Sequence, residues 1–190
     1  MLPDALGPSL HQLCRALCTH PKLAHVRPEA LLFVAAQARR ASAATIRPLF
    51  FSGGRPQEDG LFKPIVRMNG QRMRYEIALR PPFFRRCSPR RRLEILVHEL
   101  WHIAPDFDGS LASERRHTGQ NETCAPFVQE VLQQTELAVA ADFLSLSGVS
   151  SMQAWLHRPP TRMPADEPRL YTEAELYLQP VELCSIETET

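Results

Sequence analysis

The sequence lacks a membrane-spanning run, a large net charge and the pattern of a secretory leader. It contains no apolar run long enough to cross a membrane, which takes about 18 residues or more. Its formal net charge is only +1, too small for the surface-wide field by which strongly basic proteins bind nucleic acid or membranes. The first residues lack the basic start and apolar block of a secretory leader. We therefore expect a soluble, cytoplasmic protein with no membrane partner.

Cysteines are few, and their number is odd. The five stand at Cys14, Cys18, Cys87, Cys124 and Cys184. This scatter does not fit the even, regularly spaced pattern of a disulfide framework. Cys14 and Cys18 form a CxxxC pair, but no second cysteine or histidine pair stands at the spacing of a zinc knuckle. We interpret the pair as one face of a short helix.

The chain is long enough for one hydrophobic core, because 190 residues with 44% hydrophobic content make a single domain of ordinary size. Leucines at helical intervals predict an N-terminal helix within residues 1–22, and Pro21 ends the pattern. The main domain is expected over residues 23–150. Residues 151–190 are a proline-rich, acidic tail that we expect to be ordered in part at most.

Three stretches predict strands. Residues 30–37 are an apolar run that fits a buried strand or, through its alanines, a helix. Residues 44–51 indicate a strand that its proline restricts to a sheet edge or a bulge. The clearest signal is at residues 61–80, where two strand-like runs flank Asn69-Gly70, a dipeptide that accepts the positive φ angles of a tight hairpin.

Two long helices are predicted after the sheet. Ser88 suits the N-cap of a helix that begins at Pro89 and ends near Ala104, before the next proline. A second helix is expected from Pro126 to about Leu146, with a glycine beyond it as the stop signal.

The first of these helices carries the sequence HELWH at residues 98–102. An α-helix turns by about 100° per residue, so His98 and His102 stand one turn apart on one side, where both imidazoles reach a single metal ion. Glu99 projects beside them, and a carboxylate there can take the proton of a metal-activated water. The apolar residues of the helix gather on the opposite side, so core packing does not require the histidines. The pattern predicts a metal site used for hydrolysis.

Two residues compete for the role of third metal ligand. His117 follows the turn PDFDG, which lets the chain reverse and return to the helix. Glu122 lies twenty residues after His102, a spacing similar to that of the third ligand in thermolysin-like gluzincins. However, Pro126 stands where those enzymes carry a helical aspartate, and proline does not suit a helix interior. The metzincin pattern is excluded, because proline and aspartate replace its glycine and its third histidine.

The stretch HELWHIAPDFDG followed by RRHTG resembles a group of bacterial and phage zinc metallopeptidases that share HELWHI-x-P-x-FDG and a later H-x-G. The likeness extends to AQARR, to TIRPL and to the hairpin, over roughly residues 23–145. It implies His98, His102 and His117 as the ligands of one zinc ion and Glu99 as the catalytic glutamate. After His117, the sequence QNETCAP departs from the Arg-Cys-Tyr stretch of that group.

The resemblance also implies an α+β fold of the zincin type, similar to SprT-like and minimal-gluzincin proteases. In such a fold a small, mostly antiparallel sheet of about four strands packs on the HExxH helix, with flanking helices. The resemblance therefore favours a strand at residues 30–37, and we interpret residues 23–150 as a zincin-like metallopeptidase domain.

The leading prediction is a zinc-dependent peptidase acting on peptides or proteins. Its substrate would add as an extra strand to residues 72–79, if that run borders the cleft. An alternative is a zinc-containing protein that binds or hydrolyses nucleic acid through a basic cluster. The cluster consists of Arg85, Arg86, Arg90, Arg91 and Arg92. The cluster also suits ion pairing with the acidic tail. A third hypothesis is a zinc-stabilised interaction module without catalysis.

Two aromatic residues near HELWH each have two interpretations. Tyr75, in the strand nearest the helix in sequence, would either pack as strand tyrosines usually do or donate a hydrogen bond to a tetrahedral oxyanion. Trp101 would either pack in the core or form a wall of the pocket beside the histidines.

Overall fold

The structure is a computed structural model that describes residues 6–35, 43–49, 61–62, 65–112, 124–134, 163–164, 169–171 and 181–184. The helices are α1 (Leu6–Leu17), α2 (Pro81–Arg86), α3 (Pro89–Trp101) and α4 (Cys124–Gln134). The strands are β1 (Leu31–Ala35), β2 (Ala44–Pro48), β3 (Leu61–Phe62), β4 (Ile65–Met68), β5 (Gln71–Arg72), β6 (Tyr75–Leu79), β7 (Met163–Pro164), β8 (Arg169–Tyr171) and β9 (Val181–Cys184). Helices combined with small sheets are compatible with the predicted α+β class. No helix in these ranges is long and apolar enough to cross a membrane.

A three-stranded sheet in the order β1-β6-β2 lies next to α3. The strand β1 runs parallel to β6, and β2 runs antiparallel to it. All five residues of β1 and of β6 are buried, as expected for strands covered on both faces. Among the described strands, β2 lies at the edge of this sheet, where Pro48 does not interrupt its pairing with β6. The strand at 30–37 and the edge position of the strand at 44–51 are therefore confirmed.

The sheet beside α3 has three strands instead of the expected four, because the predicted hairpin divides between two sheets. Its turn is confirmed: β4 and β5 pair around Asn69 (φ 51°) and Gly70 (φ 76°), the left-handed pair of a tight turn. However, β5 ends after two residues, and the N–H of Arg74 donates to Ala30 O (2.8 Å). The chain then enters β6 in the other sheet. The single long strand predicted for residues 72–79 is therefore wrong.

The remaining strands form a second, antiparallel sheet in the order β5-β4-β9-β8 and the small pair β3-β7. In the second sheet Ile65 of β4 lies opposite Cys184 of β9, and Arg67 lies opposite Glu182. Short strands from the C-terminal tail thus extend a sheet that begins in the middle of the chain. The division into residues 1–22, 23–150 and 151–190 stays a prediction.

Two apolar clusters lie on the two faces of the three-stranded sheet. On β1, Leu31 and Phe33 belong to the larger cluster with the helices, whereas Leu32 and Val34 belong to a smaller one with β4. This alternation follows from the two-residue period of a strand. The confirmed N-terminal helix α1 contributes fully buried leucines, and Cys14 is buried with them. Burial raises the pKa of the Cys14 thiol well above its ordinary value.

The helix that carries HELWH begins as predicted and ends three residues early. Ser88 is its N-cap, and the Ser88 hydroxyl accepts the N–H of Arg91 (3.3 Å). The helix ends at Trp101 instead of near Ala104, because the chain turns back and the N–H of Ala112 donates to His102 O (2.9 Å). The second predicted helix is present as α4, which begins two residues before the expected proline. Its predicted end near residue 146 lies outside the described residues.

Candidate metal centre

The HELWH residues occupy the last turn of α3 and its C-cap. His98 and Glu99 are helical, and His102 is the C-cap residue (φ −73°, ψ −14°). On the other side of the helix, Leu96 and Leu100 are fully buried in the larger apolar cluster. The sheet and α4 pack on α3, and its leucines lie in the core, so core packing does not depend on the histidines.

The structure brings His98 and His102 together. Their Nε2 atoms are 3.2 Å apart, and the two ring planes are nearly perpendicular, at 87°. Two imidazole nitrogens on one tetrahedral zinc ion, each about 2.0 to 2.1 Å from the metal, stand about 3.3 Å from each other. The observed separation therefore fits two ligands of a single zinc ion.

Glu99, which follows His98 in α3, is almost completely buried, with 7% of its surface exposed. Burial raises the pKa of its carboxyl to about 7, and the Ile46 backbone N–H, which hydrogen-bonds the carboxylate, acts in the opposite direction. A carboxylate with a pKa near neutrality is suited to accept and return a proton at physiological pH.

The contact with Ile46 joins Glu99 to the outer edge of β2. The hydrogen bonds from Arg80 N to Ala43 O (3.0 Å) and from Leu49 N to Arg74 O (2.7 Å) belong to the ladder between β2 and β6. In an antiparallel ladder only every second residue directs its backbone N–H and C=O to the partner strand. The backbone N–H of Ile46 therefore points away from β6. Sequence reasoning missed this residue, although the prediction of an edge strand at TIRPL was the signal that could have indicated it.

Trp101 and Phe127 form an aromatic wall beside the histidines. The Trp101 ring centroid is 5.3 Å from that of His102 and 6.2 Å from that of His98. Phe127, on α4, lies 6.3 Å from Trp101 and is buried. Trp101 thus packs against the core, which confirms one of its two predicted roles. Its role as a wall of the pocket stays a prediction.

After His102 the chain reverses within ten residues. Ile103 and Leu111 form an antiparallel bridge, which together with the bond from Ala112 N to His102 O closes the loop. Asp108 accepts the N–H of Ser110 (2.8 Å), an ordinary turn contact. The predicted reversal after HELWH is therefore present.

Tyr75 reaches this loop with its hydroxyl group. The hydroxyl donates to Ser110 O (2.8 Å) and accepts the N–H of Gly109 (3.0 Å). Burial raises the pKa of Tyr75 to about 12, so the group stays protonated at physiological pH. Since the hydroxyl is already hydrogen-bonded to two backbone groups of the loop, the structure does not support its alternative role as a hydrogen-bond donor to an oxyanion.

A family model described as "Putative phage metallopeptidase" matches residues 7–126, which is more than half of the chain. The chain belongs to this family. No curated protein and no solved structure gives a significant match. The matched residues run from α1 to the first turn of α4 and include all of HELWH. Membership of the phage metallopeptidase family indicates a metal-dependent hydrolase that acts on peptide bonds.

The two candidates for the third ligand, His117 and Glu122, lie outside the described residues, although both are within the part that matches the phage metallopeptidase family. Within the described ranges, no three His, Cys, Asp or Glu side chains are grouped so that they could hold a metal ion. Ala112 contacts His102, and the five residues from Ala112 to His117 span at most about 17 Å. Glu122 precedes α4, which packs on α3. The choice between the two stays a prediction.

Three of the five arginines of the basic cluster have ion-pair or hydrogen-bond partners within the chain. Glu94 forms ion pairs with Arg90 (3.2 Å) and Arg91 (3.0 Å). Arg92 is buried, with 1% of its surface exposed, and donates through Nε to Phe84 O (2.8 Å). These three arginines therefore have structural partners, and no observation favours the nucleic-acid alternative.

Proposed function

We propose that this protein is a zinc-dependent peptidase with His98, His102 and His117 as the metal ligands and Glu99 as the general base. The observation that carries the proposal is the convergence of the two Nε2 atoms at the spacing of zinc ligands. Glu99, the residue after His98 on the same helix, is buried. Membership of a metallopeptidase family supports it. The three-stranded sheet, the HELWH helix and the flanking helices are consistent with a zincin-like arrangement.

The chain's own side chains divide the chemistry between them. The histidines hold the ion, and when bound, zinc supplies a Lewis acid that polarises the peptide carbonyl and acidifies water. Glu99 accepts the proton of the attacking water and then delivers it to the nitrogen of the leaving amine. Its low exposure keeps bulk water from competing for that proton.

The substrate is a peptide or protein, and we expect it to extend along β2. Residues 72–79 cannot accept it as first predicted, because β6 has β1 on one side and β2 on the other. The strand β2 has one partner among the described strands and contacts α3, with Ile46 directed at Glu99. An extended substrate beside this edge would have its backbone near the general base.

Zinc content per chain tests the ligand set. It is measured side by side in the purified wild type, His117→Ala and Glu122→Ala after incubation with zinc. We expect about one zinc ion in wild type and Glu122→Ala and a loss in His117→Ala. Loss only in Glu122→Ala would replace His117 by Glu122 in the site, and no zinc in wild type would reject the zinc centre.

Turnover tests the role of Glu99. Cleavage of a peptide library is followed by mass spectrometry for wild type, Glu99→Gln and the control Glu94→Gln, a change on the same helix. We expect Glu99→Gln to keep its zinc and to lose turnover by about 10² to 10⁴ fold, while Glu94→Gln keeps both. A zinc-loaded wild type without cleavage would favour the non-catalytic interaction module.

A further inference from the structure

The loop from Ile103 to Ala112 closes on itself next to a proposed metal ligand. The N–H of Phe107 donates to Ala104 O (2.9 Å), and the N–H of Ala104 donates to Ser110 O (3.4 Å). At the end of the loop the N–H of Ala112 donates to the carbonyl of His102 (2.9 Å). The end of the loop at Ala112 therefore lies beside His102, the residue that precedes the loop.

The loop adopts a backbone that needs outside support. Phe107 has a φ of 49°, in the left-handed region, which bulky side chains rarely enter, and Gly109 has a φ of 93°. Such conformations persist where the surroundings hold them. The Phe107 ring is buried and lies 5.1 Å from the Tyr75 ring, and Arg27 lies 6.0 Å from its centroid.

Tyr75 links this loop to the central strand of the sheet. It begins β6, which β1 and β2 hold from both sides, and its side chain is fully buried. Its hydroxyl bonds the adjacent residues Gly109 and Ser110, one as acceptor and one as donor. The neighbouring Arg74 adds a contact from its guanidinium to Phe107 O (3.4 Å). The loop is thus fastened to the sheet at its far end.

We propose that Tyr75 is a positioning residue of the metal centre: its hydroxyl holds the 103–112 loop closed, so that the chain emerges at Ala112 beside His102. The inference rests on the proposed function, because the segment that follows Ala112 carries the proposed third ligand, His117. Tyr75 acts through the loop and touches neither metal nor substrate.

An upper bound on the effect follows from the sequence separation of the ligands. With the loop closed, five residues separate Ala112 from His117. With the loop open, fifteen residues separate His102 from His117. Because the probability that two chain positions meet falls at most with about the 3/2 power of their separation in an ideal chain, a fully open loop would weaken zinc binding by up to about fivefold.

The test uses Tyr75→Phe, which keeps the ring and removes the hydroxyl. The control is Thr19→Val, which removes a hydroxyl bonded to Ala16 O (2.7 Å) at the end of α1, away from the site. The amide exchange of Gly109 and Ala112 is measured in the metal-free proteins. Zinc affinity is measured by competition with a chelator for wild type, Tyr75→Phe and Thr19→Val.

We expect faster exchange at both amides in Tyr75→Phe alone, and zinc binding weaker than in wild type by up to about fivefold. The zinc effect should be absent in Thr19→Val, which loses a hydroxyl group away from the site. Unchanged exchange, or a wild type and a Tyr75→Phe that bind zinc equally, would overturn the inference. If wild type binds no zinc, the proposed function fails, and the claim that Tyr75 holds the loop stands or falls on the exchange result.

Discussion

The ion pair between Arg47 and Glu76 leads to a prediction about how β2 is held in place. The two residues lie directly opposite each other on β2 and β6, and Arg47 Nη2 donates to Glu76 Oε2. The Glu76 side chain has no exposed surface, and that of Arg47 is 20% exposed. Removing one member of a buried pair leaves an uncompensated charge, which costs about 3 to 5 kcal/mol. Since Arg47 reaches solvent, we expect Arg47→Met to lower the free energy of unfolding by about 3 kcal/mol.

A double-mutant cycle separates the pair from the rest of the sheet. Urea unfolding of the metal-free protein is measured for Arg47→Met, Glu76→Leu and the double variant. The double variant should lie within about 1 kcal/mol of wild type, because apolar side chains of similar volume often replace a buried ion pair without loss. A loss below about 1 kcal/mol in Arg47→Met, or a double variant as unstable as Arg47→Met, would refute this reasoning.

Three further predictions concern Glu99, the core and the helix start. Burial raises the pKa of Glu99 in the folded state from 4.5 to about 7. Ionised Glu99 therefore destabilises the folded protein above pH 7, and this destabilisation is absent below about pH 4.5. Metal-free Glu99→Gln should therefore be more stable than wild type at pH 8 by up to about 3 kcal/mol in urea unfolding, and an advantage that does not shrink towards pH 5 would contradict this origin. Leu96→Ala should lower the unfolding free energy by about 2 to 5 kcal/mol, because Leu96 is fully buried; a loss below about 1 kcal/mol would mean that the site collapses around the smaller side chain. Ser88→Ala should cost about 1 kcal/mol through loss of the cap on α3, and Ser88→Asp should restore it; equal stability of all three proteins would show that the cap is not formed in solution.

Features fixed by a few neighbouring residues could be predicted from the sequence. Ser88 and Pro89 define the start of α3 because a cap and a first-turn proline act on adjacent backbone groups. Asn69 and Gly70 define a turn because both tolerate left-handed backbone. The spacing of His98 and His102 predicts their approach because the helix itself sets it.

Features that depend on distant partners could not be predicted. Nothing local indicates that the chain changes sheet at Met73, because the change depends on the pairing of β6 with β1, more than forty residues earlier. The early end of α3 depends on the bond that Ala112 makes to His102. Likewise, the hydroxyl of Tyr75 finds its partners about 35 residues later, and only the folded loop reveals them.

The position of HELWH at the end of α3 also determines the sign of the electrostatic potential that the helix backbone creates at the site. Aligned peptide dipoles place about half a negative charge at the C-terminus of a helix. Since α3 ends at Trp101 and His102 is its C-cap, an ion held by His98 and His102 would lie at that negative end. The backbone of α3 therefore favours a cation there, and disfavours a phosphate or carboxylate, whatever the protonation state of the side chains around it.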